Sequence, residues 1–224
     1  MGTERYSMKE TGLIFKAPLV RAILEGRKTQ TRRIAKPVRH PDLGNVYSPG
    51  ALVLEHEPQH VINRACPYGQ PGDRIYVRET ARSCRAYEVQ GYPPSQWGNK
   101  PIWFEADGTP PGAETAWATK ATPAIHLPMF AARIWLEITG VRLELLQDIS
   151  EEDAITEGIE RADDFFGCTC WKAYGEPEGA DVVCPDDPIG SFRTLWESTG
   201  GDWNANPWVW VIDFKVLSTT GRPA

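Results

Sequence analysis

Short apolar runs, separated by polar segments and by turns rich in Gly or Pro, are the main pattern along this chain. Runs of about four to eight residues that alternate between apolar and polar side chains, or that are rich in Val, Ile, Trp and Phe, are typical of β-strands. The pattern predicts strands at residues 12–17, 51–55, 74–80, 102–106, 132–138, 141–146 and 208–217. Gly140 predicts a bend between the fifth and sixth of these strands.

Three segments carry the signals of short helices, at residues 18–26, 150–158 and 191–198. Pro18 suits the first position of a helix, and Gly26 and Gly158 suit the position after the last turn. Ser150, three residues before Asp153, is a typical N-terminal cap, and Ser191 is the predicted cap of the last helix. Residues 27–33 leave the first helix and are predicted to be extended.

Strands interspersed with short helices, with few segments of β-α-β length, predict an α+β fold with a mixed sheet or a small barrel. This arrangement argues against a doubly wound fold. Two stretches, at about 82–128 and 161–188, are rich in loop signals and are predicted to be insertions. We therefore expect a single domain over residues 1–224 with two loop-rich insertions.

The composition is that of an ordinary globular protein, with 224 residues of which 41% are hydrophobic and 24% are charged. No stretch approaches the roughly 18 apolar residues that a membrane-spanning helix needs. The N-terminus carries Glu4, Arg5 and Lys9 and has no apolar core, so a signal peptide is not predicted. The expected location is the cytoplasm, without a membrane partner.

The formal net charge of −6 argues against a protein that coats long nucleic acids through many phosphate contacts. The charge is uneven, however, because residues 21–39 contain seven Lys and Arg side chains and a single acid, Glu25. A basic patch on an acidic body favours a small anionic ligand or a short strand. The alternative is a solvated basic surface without a ligand.

Four blocks of sequence resemble the ASCH domain family, and they occur in the family's order. They are residues 24–33, which contain Lys28-Thr29-x-Thr31-x-Arg33, and residues 71–79, 149–158 and 208–215. The Trp-rich and Cys-bearing insertions resemble the larger ASCH proteins of bacteriophages and prophages. The resemblance implies a PUA-like mixed β-pseudobarrel that handles a nucleobase, a nucleoside or RNA. For a phage or prophage protein, the cytoplasm would be that of the bacterial host.

Small bacterial members of this family hydrolyse the amide of N4-acetylcytidine with a Lys, a Thr and a Glu. The resemblance places these roles on Lys28, Thr31 and Glu157, and the reaction requires no cofactor. The expected substrate-binding residues are the guanidinium groups of Arg27, Arg32, Arg33 and Arg78. Glu79 is expected to be the structural counterpart of Arg78.

The chemistry requires that Lys28 lose its proton, which burial or nearby cations would favour. Thr31 follows Lys28 by three positions, an odd number, so in an ideal strand their side chains would point to opposite faces. A turn or bulge between them is therefore required. Simpler interpretations also exist: Lys28 complements a helix dipole, Thr31 is an ordinary strand residue and Glu157 is a solvated carboxylate.

Two other classes of function fit the same sequence. One is a non-catalytic module that binds RNA or a modified base, with Trp97, Trp103 and Trp117 of the first insertion as stacking side chains. The other is a protein-binding role of a phage accessory protein, whose protein partner the sequence does not identify.

Cysteines are clustered in the insertions. Cys168 and Cys170, with Cys184 in the same insertion and Cys84 in the other, form a candidate structural zinc site, with Cys66 or His126 as alternative fourth ligands. The Cys-x-Cys spacing is tighter than the usual Cys-x₂-Cys, so unligated thiols are the alternative.

Overall fold

The structure is a computed structural model, and it describes residues 7–83, 102–108, 121–162, 170–175 and 187–224. The chain forms two compact units, each built from segments that are distant in sequence. The first unit comprises Met1–Leu24, Gly72–Glu137 and Lys215–Ala224, and the second comprises Glu25–Pro71 and Ile138–Phe214. The single domain over residues 1–224 remains a prediction.

The strands of the described residues are β1 (Glu10–Ile14), β2 (Gln30–Ile34), β3 (Val38–Arg39), β4 (Val46–Tyr47), β5 (Arg74–Arg78), β6 (Ala81–Ser83), β7 (Ile102–Phe104), β8 (Trp135–Leu145), β9 (Arg161–Ala162), β10 (Cys170–Trp171) and β11 (Trp208–Ser218). The α-helices are α1 (Ala17–Leu24), α2 (Ala51–Leu54), α3 (Gln59–Ala65), α4 (Glu151–Thr156) and α5 (Pro188–Ser198).

In the first unit, β5 lies between β1 and the first residues of β8. β1 runs parallel to β5, and β5 pairs antiparallel with β8 through Tyr76 and Trp135. Ile75 and Val77 of β5 are fully buried while their neighbours are half-buried. This alternation is the predicted pattern of a strand with one face in the core.

In the second unit, β11 lies between the remainder of β8 and β2, so β2 is an edge strand. β11 and β2 are antiparallel, with Val209 opposite Ile34 and Asp213 opposite Gln30. Residues 209–212 of β11 are all buried, which explains its continuous apolar run, because both faces of the strand are covered. α4 packs against α5 in the same unit.

The α+β class is confirmed, with mostly antiparallel pairing and short helices. The strands of the described residues do not form a closed barrel, and the PUA-like pseudobarrel remains a prediction. The predicted strand near residues 102–106 is present as β7, while most of the two predicted insertions lies outside the described residues. No helix among the described residues is both long enough and apolar enough to span a membrane.

Three predicted elements differ from the structure. Residues 51–55 are not a strand, because Ala51–Leu54 forms α2, in which Leu52 is buried and Leu54 is exposed. A short apolar run does not by itself distinguish a strand from a helical turn. The last helix begins at Pro188 with Asp187 as its N-cap, so Ser191 is not the cap. Its hydroxyl instead donates to the Lys172 carbonyl at 2.6 Å.

The bend predicted at Gly140 is also absent, because β8 continues through this residue. A β-carbon at Gly140 would lie 2.7 Å from Oδ2 of Asp213. The glycine therefore makes room for the carboxylate of the neighbouring strand, which is the other common reason for glycine in a strand.

Candidate functional site

The segment that carries Lys28 is short and held on both sides. Gly26 ends the preceding turn with a φ of 74°, a conformation that favours glycine. The Thr29 N–H donates to the Thr156 carbonyl at the end of α4 (2.9 Å), and the Thr29 carbonyl accepts from the Phe214 N–H of β11 (2.8 Å). Because β2 begins only at Gln30, Lys28 lies outside the strand, and the strict alternation of strand side chains does not apply to it.

Lys28 forms a buried ion pair with Glu157. Its Nζ lies 2.5 Å from Glu157 Oε2, and the two side chains are 1% and 5% exposed. The same Nζ donates to the carbonyl oxygens of Glu157 and Gln30, each at 2.8 Å. These acceptors suit the N–H donors of an ammonium group that is paired with a carboxylate.

Burial lowers the pKa of Lys28 below its ordinary value of 10.5. Glu157 opposes this shift by attraction and by its hydrogen bond, while the cations of Arg33 and Arg32 add to it. The resulting amine gives up its proton more readily than a solvated lysine does. That is the property required of a lysine acting as a base at moderate pH.

Glu157 is placed by the C-terminus of α4. The helix starts at the N-cap Ser150, whose Oγ accepts from the Asp153 N–H at 3.1 Å, and Glu157 is its C-cap residue. Gly158 follows with a φ of 90°. The interpretation of Glu157 as a solvated carboxylate is therefore wrong. Lys28 does cap a helix C-terminus, but it is that of α4 through the Glu157 carbonyl.

Arg32 reaches the other oxygen of Glu157, with Nη1 3.2 Å from Oε1. Its Nη1 also donates to Oε1 of Gln30 at 2.5 Å, and its Nη2 donates to Glu144 at 2.7 Å and to Asp153 at 3.1 Å. The guanidinium is 1% exposed. A single buried cation thus joins three carboxylates in the second unit.

Asp153 is itself held by several donors. Arg142 binds it at 2.5 Å and the Gln30 amide at 3.1 Å. Burial raises the pKa of Asp153, but the Gln30 hydrogen bond and the charges of Arg142 and Arg32 outweigh burial and hold the pKa below its usual range. The carboxylate therefore stays charged and anchors Arg32 at neutral pH.

Thr31 and Arg33 alternate with Gln30 and Arg32 along β2, so they belong to the opposite face of the strand. Thr31 is buried and lies opposite Ile212. Among the contacts of the described residues, no hydrogen bond joins the Thr31 hydroxyl to Lys28 or Glu157. Its predicted role as a nucleophile remains a prediction.

Arg33 is half-buried and is coupled electrostatically to both Glu157 and Tyr68. Burial lowers the pKa of the Arg33 guanidinium, and the two neighbours act in the opposite direction. Burial also raises the pKa of Tyr68, while Arg33 lowers it. Arg33 therefore lies within electrostatic reach of Glu157.

The other predicted substrate-binding residues are engaged elsewhere. Arg27 binds the side chain of Glu25 and donates to the Gly158 carbonyl at 2.9 Å. Arg78 belongs to the first unit, on β5, and donates to the Ile125 carbonyl. Glu79 is not its counterpart, because Glu79 pairs with Arg133 instead.

Sequence reasoning missed the side chains that surround Arg32 and Arg33, namely Gln30, Arg142, Glu144, Asp153 and Tyr68. In the sequence, Asp153 stands out only as part of a helix cap. The available signal was the pair Gln30 and Arg32, two polar side chains on one face of a strand. Polar groups on a buried face require partners.

The zinc prediction is only partly within the described residues. Cys84, Cys168 and Cys184 lie outside them, while Cys170 is half-buried on β10. Among the described residues no group of three or more His, Cys, Asp or Glu side chains is arranged to hold a metal ion. Structural zinc therefore stays a prediction.

The predicted stacking tryptophans are mostly outside the described residues as well. Trp97 and Trp117 lie there, whereas Trp103 is half-buried on β7. Its indole N–H donates to the Gly108 carbonyl at 2.8 Å.

Comparison with known protein families, characterised proteins and solved structures finds no match for this chain.

Proposed function

We propose that this chain is an ASCH-type amidohydrolase with a PUA-like pseudobarrel, which removes the acyl group from N4 of an acylated cytosine nucleoside. The observation that supports the proposal is the buried pair of Lys28 and Glu157, with 2.5 Å between Nζ and Oε2. Burial of two opposite charges in a protein costs roughly several kcal/mol per ion before their mutual attraction is counted. Pairs of this kind are concentrated at functional sites.

The proposed reaction starts from the state in which Lys28 has released its proton to the solvent and is a neutral amine. The Thr31 hydroxyl adds to the carbonyl carbon of the acyl group, and its proton passes to Lys28. The tetrahedral intermediate then collapses. The bond between the acyl carbon and N4 breaks, N4 takes the proton back from Lys28, and the free nucleoside leaves the acyl group on Thr31.

In the second step, a water molecule adds to the ester carbonyl and gives a proton to Lys28. The bond to the Thr31 oxygen breaks, this oxygen takes the proton from Lys28, and a carboxylic acid is released. In both steps Lys28 takes up one proton and returns it, while Glu157 holds the Lys28 side chain in place. The scheme needs only side chains and water.

Arg33 is the best-placed cation for the oxyanion of the tetrahedral intermediates. It is half-buried, so a ligand can reach it, and it is electrostatically coupled to Glu157, so it lies near the buried pair. A cation fixed where negative charge develops stabilises the transition state more than the ground state.

The alternative of a non-catalytic RNA-binding module receives less support from the charges. In the run of basic residues, Arg27, Lys28 and Arg32 all form ion pairs with carboxylates. Cations that are already compensated release few counterions when a phosphate backbone binds. The basic run is therefore a weaker argument for phosphate binding in the folded chain than in the sequence.

The test is deacetylation of N4-acetylcytidine by the purified full-length chain, followed by chromatography. Thr31→Val should lower turnover by about 10³-fold or more, because it removes the nucleophile and keeps the shape of the side chain. Glu157→Gln should lower it by about 10²–10⁴-fold, as expected when the base Lys28 loses the carboxylate that positions it for proton transfer.

Thr29→Val is the matched control, since Thr29 is exposed and uses only its backbone in the contacts described above. It should keep the turnover of the unmodified chain. Absence of turnover with several acylated nucleosides, or full turnover by Thr31→Val, would contradict the proposed function.

A further inference from the structure

The carboxylate of Glu157 is divided between two cations. Oε2 faces the Lys28 ammonium at 2.5 Å, and Oε1 faces Nη1 of Arg32 at 3.2 Å. The two oxygens of one carboxylate thus meet two different partners, and the orientation of the group is fixed by both. A substitution of Arg32 would therefore act on Lys28 through Glu157.

The two Nη groups of the Arg32 guanidinium are engaged by protein acceptors. Nη1 is used by Gln30 and Glu157, and Nη2 by Glu144 and Asp153. The remaining Nε–H is buried and meets no acceptor among the described residues. These contacts argue against the substrate-binding role that the sequence suggested for Arg32.

From this geometry we infer that Arg32 is a positioning residue, which fixes the orientation of the Glu157 side chain, places a positive charge near Lys28 and thereby sets the pH range in which Lys28 serves as a base. The inference rests on the proposed function for its catalytic consequence. Its electrostatic part, the effect of Arg32 on the protonation of Lys28, is independent of any reaction.

The sign of the effect follows from the charges around the pair. Lys28 is faced by Glu157 from α4 and by Arg32 and Arg33 from β2. A positive charge near Lys28 disfavours its ammonium form. Arg32 therefore makes Lys28 release its proton at a lower pH, which leaves a neutral amine.

Two further carboxylates moderate this effect. Glu144 and Asp153 bind Nη2 of Arg32, whereas Glu157 is bound by Nη1. They compensate part of the guanidinium charge, and Arg142 in turn binds both of them. Removing the Glu144 charge should therefore strengthen the influence of Arg32, which is the opposite of removing Arg32 itself.

The experiment compares pH profiles of kcat/KM for N4-acetylcytidine. In Arg32→Gln the rising limb should move to higher pH by about one unit, so that turnover on the limb falls about tenfold at a given pH. Glu144→Gln should move the limb to lower pH. Arg193→Gln removes an exposed charge of α5 that pairs with Glu197, and its limb should not move.

A titration of the ¹³Cε resonance of Lys28 provides a readout that needs no turnover. The Lys28 titration should occur at higher pH in Arg32→Gln and at lower pH in Glu144→Gln than in the unmodified chain. If the unmodified chain lacks activity, the proposed function fails, and this titration still decides the inference.

A uniformly lower rate with an unmoved limb would mean that Arg32 has only a structural role, and it would overturn the inference. If Arg32→Gln does not fold, Glu144→Gln decides alone. A downward shift supports the inference, and an unmoved Lys28 titration overturns it.

Discussion

At the scale of single residues, Glu79 of the first unit is a buried carboxylate that pairs with an arginine, whereas Glu157 pairs with Lys28. Its two oxygens accept parallel hydrogen bonds of 2.9 and 3.0 Å from Arg133. Arg133 also binds Asp107 at 2.8 Å and lies 4.2 Å from the centre of the Phe104 ring. Burial raises the pKa of Glu79, and the bidentate contact with Arg133 opposes that shift.

Replacement of Arg133 by Met should therefore leave an uncompensated buried charge. We expect the free energy of unfolding at pH 7 to fall by about 3–5 kcal/mol, the usual cost of removing one partner of a buried pair. The pKa of Glu79 is near 4.5 in the unfolded chain and higher in the folded chain. Between these two pKa values the folded variant binds more protons than the unfolded one. Stability is then lost as pH rises through the window and is recovered as pH falls towards 4.5.

Urea unfolding at about pH 7, and at about pH 5 nearer the pKa of unfolded Glu79, measures both effects. A double variant, Glu79→Gln with Arg133→Met, should be more stable at neutral pH than Arg133→Met alone, because no buried charge is left without a partner. An equal loss at both pH values would show that packing, and not charge, explains the role of Arg133.

At the scale of elements, α4 brings two carboxylates to one cation. Asp153 and Glu157 are four residues apart, so they lie on the same side of the helix and both reach Arg32. The helix is only six residues long and has one side-chain cap, Ser150. A short helix has little stability of its own, so the cap contributes a large share of it.

Ser150→Ala should destabilise the protein by about 0.5–2 kcal/mol, the range for the loss of an N-cap. Thermal unfolding measures this change, and the turnover of acetylcytidine should fall with it if fraying of α4 displaces Glu157. Ser7→Ala, the same substitution at an exposed position before β1, is the control and should change neither quantity. A fully stable Ser150→Ala variant would contradict this account of α4.

The elements with strong local signals were predictable from sequence. The capped helix α4 and the apolar strand β11 are defined by residues close together in the chain. α2 was not predictable, because its four residues suit a strand equally well. The bend predicted at Gly140 was wrong because the reason for this glycine, the approach of Asp213, involves a residue far along the chain.

The candidate site divides in the same way. Lys28 and Glu157 came from motifs, and the structure places them in contact. The partners of Arg32 were not predictable, because Glu144 and Asp153 belong to separate elements whose meeting depends on the fold. A sequence motif can indicate the residues of a site, but it does not indicate the neighbouring charges that shift their pKa values.

At the scale of the whole molecule, the net charge of −6 and the internal compensation of the basic run act together. Arg32 and Lys28 are buried against carboxylates, so they add little to the potential outside the protein. An acidic body repels a phosphate backbone. The α+β class was predictable at this scale, whereas two units built from interleaved segments were not.

A short unmodified RNA should therefore bind weakly even at low salt. We expect the logarithm of the association constant to fall with the logarithm of salt concentration with a slope shallower than about −1, roughly one phosphate contact or fewer. Fluorescence anisotropy between about 50 and 200 mM salt measures the slope. A steep slope would favour the RNA-binding alternative.

The peptide of Thr29 is hydrogen-bonded on one side to α4 and on the other to β11. It therefore fixes the spacing between Gly26 and the first residue of β2, and with it the position of the Lys28 side chain. Insertion or deletion of even one residue here would offset the ammonium from its carboxylate. This stretch should tolerate changes of side chain at Thr29 far better than changes of length, unlike most connections of similar length.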